Sequence, residues 1–122
     1  MTGHEGDVYT VKFHPSNTHV ATGGYDKTVR LWDVRTGQLV KVFAGHNASV
    51  SRVIFNPHGN LIITGSKDST IRFWDIVSGV CVNSFSSRLG EVTSVEMNRS
   101  GSLLLSGSKD NSNRLWDVRL VG

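Results

Sequence analysis

Apolar and polar residues alternate in short runs along this chain, and the runs recur. Val8–Phe13 alternates, residues 14–19 break into a turn, and residues 20–23, 28–34 and 38–43 follow as further runs. Tyr25-Asp26-Lys27 and Arg35-Thr36-Gly37 separate them. Alternation over about 4–8 residues, bounded by Gly, Asp, Asn and Ser, predicts β-strands joined by tight turns. A second set occupies residues 50–55, 61–65, 70–76 and 80–85. A third occupies residues 92–97, 103–107 and 113–118, leaving only Arg119 to Gly122, too few for another strand. The expectation is an all-β chain of three four-stranded antiparallel units, the third lacking its outer strand.

The units are copies of one another. Trp32-Asp33, Trp74-Asp75 and Trp116-Asp117 are spaced by 42 residues. Asp26, Asp68 and Asp110 keep that spacing, as do Thr22, Thr64 and Ser106. Gly3-His4 and Gly45-His46 also match, but their third counterpart is Ser87-Arg88. Several independent columns in one register mark a tandem repeat. The turns have chemical reasons: Gly37, Gly59, Gly79 and Gly101 supply the positive φ that tight hairpins need. Pro15 and Pro57 follow strands, where a missing N–H costs little.

A Gly-His start and a Trp-Asp end about forty residues apart resemble the WD-repeat (WD40) family of β-propellers. The resemblance covers essentially the whole chain and divides it into units at 1–44, 45–86 and 87–122, together part of one incomplete propeller. It implies a hydrogen-bonded tetrad in each unit: His4, Thr22, Asp26 and Trp32, then His46, Thr64, Asp68 and Trp74. The third unit offers Ser106, Asp110 and Trp116 with Arg88 at the His position, which changes the geometry. Asn113 is a second departure, where Val29 and Ile71 stand in the other units. A polar side chain there needs a partner or solvent.

Other chemistry fits less well. Thr22, His4 and Asp26 have the residue types of a catalytic triad, but the set recurs at Thr64, His46 and Asp68. An enzyme rarely copies its site into each structural repeat, so a cross-brace is expected and not an enzyme. The five histidines show no close ligand pair of the kind zinc favours, so no metal is expected. Gly65-Ser66-Lys67-Asp68 lacks the spacing of a phosphate-binding loop. No cofactor and no small-molecule substrate are expected. The lone Cys81 cannot staple the chain, and this points to a reducing compartment, cytoplasm or nucleus. No run approaches the ~18 apolar residues of a membrane helix, and no charged-then-apolar leader opens the chain.

Charge refines the picture of partners. The formal net charge is +3, with Lys and Arg scattered and not clustered, so nucleic acid is an unlikely partner. Six of the ten acids are repeat residues, which leaves the variable surface more basic than the net charge suggests. Partners with acidic segments would suit it. The expected partners are proteins or peptides. By resemblance, the contact face comprises Asp7, Tyr9 and Tyr25, then Ser49, Ser51 and Lys67, then Glu91, Thr93 and Lys109. An alternative role is substrate receptor of a cullin–RING ubiquitin ligase. Residues 20–35 resemble a segment ending in Trp-Asp-x-Arg that serves there, which would make Arg35, and less clearly Arg119, adaptor contacts. The second unit has Val77 in place of that Arg. Propellers close with about 4–8 blades, so three units are expected to be part of a longer propeller, or else to self-associate.

Overall fold

The computed structural model describes residues 6–86, 90–109 and 112–118. The described residues form eleven strands: β1 (Val8–Phe13), β2 (His19–Gly24), β3 (Thr28–Asp33), β4 (Leu39–Ala44), β5 (Val50–Phe55), β6 (Leu61–Ser66), β7 (Thr70–Asp75), β8 (Cys81–Ser86), β9 (Val92–Met97), β10 (Leu103–Ser108) and β11 (Asn113–Asp117). Every pairing is antiparallel between chain neighbours, giving sheets β1-β2-β3-β4, β5-β6-β7-β8 and β9-β10-β11. This is the repeated four-stranded unit read from the sequence, with three described strands in the last.

Local chemistry sets where each strand stops. Asp33 Oδ1 accepts the backbone N–H of Arg35 at 2.8 Å and of Thr36 at 3.1 Å. Asp75 Oδ1 accepts that of Val77 at 3.0 Å. These side-chain turns end β3 and β7 at the aspartate, one residue short of the expected 28–34 and 70–76. Gly37, Gly59, Gly79 and Gly101 all take positive φ, between 72° and 76°.

The sheets stack side by side, with β1 beside β5 and β5 beside β9. Between the first two sheets, Ala21, Leu31 and Phe43 pack on Val53, Phe55 and Trp74. Between the second and third, Ile63, Ile71 and Phe73 pack on Val92, Val95 and Leu104. Fully burying one such aliphatic or aromatic side chain contributes about 1.5–3 kcal/mol. The stacking is close enough to demand glycine. A Cβ on Gly23 would lie 2.7 Å from Val50 Cγ1, and one on Gly65 would lie 2.6 Å from Val92 Cγ1. Polar bonds join the first two sheets at their margins. Val53 N donates to Thr10 Oγ1 at 3.1 Å. Lys41 Nζ donates to the carbonyls of Ile76 at 3.1 Å and Val77 at 2.6 Å.

Candidate functional site

The second unit carries a complete polar network. Thr64 sits mid-strand on β6, Trp74 on the adjoining β7, Asp68 in the hairpin between them, and His46 on the approach to β5. Trp74 Nε1 lies 3.0 Å from Thr64 Oγ1, His46 Nε2 lies 2.6 Å from the same oxygen, and His46 Nδ1 lies 2.9 Å from Asp68 Oδ2. The donors follow from chemistry. An indole can only donate and a carboxylate can only accept. His46 Nδ1 therefore donates to Asp68, and its bare Nε2 accepts the Thr64 hydroxyl proton. Asp68 also accepts from Asn47 N at 2.9 Å, Thr70 N at 2.9 Å and the Thr70 hydroxyl at 2.5 Å.

The His46 and Asp68 side chains are only 1% and 5% exposed. Burial holds the His46 pKa below its ordinary value, and the bond to Asp68 opposes this only partly. Burial pushes Asp68 up, but the bonds from Thr70, Asn47 and His46 outweigh it and hold its carboxyl at about 2. Both shifts make the fold acid-sensitive. Below the ordinary histidine value of 6.5 the unfolded chain binds a proton that folded His46 resists. Stability therefore falls as pH drops through that range. It falls again between 3.8 and about 2 as Asp68 is protonated in the unfolded chain first. Urea midpoints measured across pH are expected to decline in both windows, and Asp68→Asn is expected to flatten the lower one. An unchanged slope there would remove Asp68 as its source.

The other units share part of this arrangement. Trp32 Nε1 donates to Thr22 Oγ1 at 2.9 Å, and Trp116 Nε1 donates to Ser106 Oγ at 3.0 Å. Asp26 Oδ1 accepts from Thr28 N at 3.1 Å and the Thr28 hydroxyl at 2.8 Å. His4, Arg88, Asp110 and Arg119 lie outside the described residues.

The expected contact positions surround the loops at the start of each inner strand. One backbone bond recurs there in all three units: Tyr25 N to Asp7 O at 2.9 Å, Lys67 N to Ser49 O at 3.0 Å, and Lys109 N to Glu91 O at 3.0 Å. Tyr9, Ser51, Lys67 and Thr93, drawn from three sheets, line one cleft of about 410 Å³. Lys67 Nζ stands 5.8 Å from the centre of the Tyr9 ring. Tyr25 and Ser49 border a second cleft of about 530 Å³ with Asn47 and Lys27. Lys109 Nζ lies 3.8 Å from Glu91 Oε2. Tyr9 and Tyr25 are exposed, whereas Ser49 is largely buried, its carbonyl accepting from both Lys67 N and Ser66 Oγ. Arg35 is exposed in the turn held by Asp33, away from both clefts.

His14 stands apart from these expectations. As a turn residue beside Pro15 it reads as a solvated histidine. In the fold it is half-buried, its Nε2 donates to Gly59 O at 2.8 Å, and its ring meets Phe55 edge-on at 5.1 Å. The available signal is positional: Asn56 and Asn98 stand in its column, and each accepts a backbone N–H of its own hairpin.

The chain is similar to eukaryotic translation initiation factor 3 subunit I of Neosartorya fischeri, 50% identical over 42 residues. That stretch is 34% of this chain and 12% of the relative. The same subunit of Phaeosphaeria nodorum is 53% identical over 38 residues, 31% of this chain and 11% of the relative. The guanine nucleotide-binding protein subunit beta of Nicotiana tabacum is 54% identical over 41 residues, 34% of this chain and 11% of the relative. The matched stretches thus span about an eighth or less of these relatives. The family model described as WD domain, G-beta repeat matches residues 1–33, 37–75 and 79–117. With three stacked antiparallel sheets and a Trp–Ser/Thr bond in each, the chain belongs to the WD40 repeat family, its sheets being blades of an incomplete propeller.

Proposed function

We propose that this chain is a protein-interaction scaffold that docks a partner, a protein or peptide with an acidic segment, on the face carrying Tyr9, Ser51, Lys67 and Thr93. The observation that carries this reading is the convergence of those four side chains, from three blades, on one open cleft. Tyrosine beside a lysine suits an acidic segment, since the ring gives contact area and the ammonium gives charge. The names of the relatives support it, since both denote subunits of larger assemblies. They favour a scaffold over the ubiquitin-ligase receptor, and the translation factor favours a cytoplasmic location. Catalysis is not part of the proposal: the His, Asp and hydroxyl of the second unit are buried and committed to one another. Closure of the ring requires further blades, from elsewhere or from self-association.

The test is quantitative affinity capture from cell extract with the wild-type chain, Tyr9→Ala, Lys67→Ala and Arg35→Ala. Tyr9→Ala is expected to weaken capture of the partner about 30-fold, the loss typical of a tyrosine hot spot. Lys67→Ala is expected to weaken it less, and Arg35→Ala to leave it unchanged. Capture insensitive to Tyr9 and Lys67 would overturn the site, and capture lost only with Arg35→Ala would restore the ligase reading.

A further inference from the structure

The cleft between Tyr9 and Thr93 is lined by donors that the fold leaves unspent. Among the described residues, the hydroxyls of Tyr9, Ser51 and Thr93 take part in no hydrogen bond, and Lys67 takes part in no ion pair. Turn hydroxyls at the other end of the sheets are committed: Ser16, Thr18 and Ser102 each bond within their own hairpin. None of the four lining residues is a carboxylate. The walls come from the first, second and third sheets in turn, so the cleft belongs to the stack and not to either outer face. Lys67 is fixed there by its backbone bond to Ser49 and by the Tyr9 ring beneath its ammonium. We propose that the acid this cleft takes is a phosphate monoester, presented by the partner on a phosphorylated serine or threonine. The proposal rests on the loop-face reading above and sharpens it.

Matching donors to acceptors separates phosphate from carboxylate. An ammonium brings three N–H groups, and three hydroxyls bring one O–H each. A carboxylate answers with two oxygens, whereas a phosphate monoester answers with three and carries roughly −1.5 to −2 charge at neutral pH. A donor that a ligand covers without accepting from it weakens binding, so the fuller acceptor set is favoured. Charge points the same way. Lys109, at the Lys67 position one repeat later, is tied to Glu91 only by an exposed pair at 3.8 Å. Such a pair is weak, and a dianion on Lys67 offers Lys109 a second acceptor. Ser51 supplies the room, since it stands at the Tyr9 position one repeat later without the ring. A protein source is favoured over a membrane or nucleic acid because Lys and Arg are scattered along the chain and not clustered.

Retention of the full chain on immobilised short peptides tests this. The peptides are degenerate except for one central residue: phosphoserine, glutamate or serine. The phosphoserine set is expected to bind about 10-fold tighter than the glutamate set, through its added charge-assisted bonds. Ser51→Ala and Thr93→Ala are each expected to narrow that preference about 5-fold, the worth of one hydroxyl bond. Far-UV circular dichroism checks that each variant keeps its sheets. Equal retention of the phosphoserine and glutamate sets would overturn the proposal, and so would a preference that survives both substitutions. Phosphatase treatment of the extract separates this idea from the reading beneath it. Capture that withstands phosphatase yet still falls with Tyr9→Ala would sink the phosphate and leave the loop-face site standing. Capture insensitive to Tyr9 and Lys67 would sink both.

Discussion

Trp74→Ala is expected to cost about 3–5 kcal/mol, the usual range for deleting a buried aromatic side chain. Trp74 is 2% exposed and belongs to the core between the first two sheets. Its ring centre lies 5.8 Å from that of Phe43 and 6.0 Å from that of His46. Truncation empties that space and also strips Thr64 of its indole donor. Domains of this size are stable by only about 5–15 kcal/mol, so the variant is expected to lose much of its cooperative unfolding. Trp116 is the internal comparison. It is only partly buried, stacked on Phe85 at 5.3 Å, with the Arg114 guanidinium 4.8 Å from its ring. Trp116→Ala is expected to cost about half as much, since less area leaves water on folding. Urea denaturation followed by far-UV circular dichroism measures both. Equal losses would mean that the third sheet is packed as tightly as the second.

Thr64→Val is expected to cost about 2–4 kcal/mol despite nearly conserving volume. Thr64 is fully buried, and its oxygen serves two partners at once. Valine leaves the Trp74 N–H and His46 Nε2 in place without either, and each buried orphan costs roughly 1–3 kcal/mol. Thr64→Ser keeps the oxygen, as Ser106 does in the third unit, and is expected to cost under ~1.5 kcal/mol for the lost methyl. A valine variant no worse than the serine variant would show that the methyl matters and the hydroxyl does not.

The strands were legible in the sequence because their signals are local. Alternation places β1, β5 and β9 at their observed limits, and glycine at Gly37, Gly59, Gly79 and Gly101 marks turns that do take positive φ. The Trp–Thr partnership came from the resemblance to the WD-repeat family and not from the pattern itself: Thr22 lies opposite Arg30 and Trp32 opposite Val20, so the bonded pair is a diagonal one. What was not legible lies between sheets. Nothing in the pattern around Lys41 says that it reaches the carbonyls of Ile76 and Val77. Nor does the pattern around His14 point to Gly59. Those contacts depend on how one sheet rotates against the next, which no period within a single unit encodes. The same limit applies on the loop face. Position alone groups Ser49 with Ser51 and Lys67, and only the stacked sheets show Ser49 largely buried and Tyr9 of the first unit set against Lys67 of the second.

The backbone bond shared by Tyr25, Lys67 and Lys109 has a consequence for how such a chain changes. That bond uses main-chain atoms alone, so it holds the turn in place whatever side chain the position bears. One aromatic and two cationic residues already occupy it on the same backbone. Replacing them changes the side chain offered at the surface while the frame beneath, locked by Trp and Thr or Ser, keeps its bonds. If the proposed contact face is the binding face, recognition and folding are written in separate letters of each repeat, and a new binding preference would be acquired one blade at a time without endangering the structure that presents it.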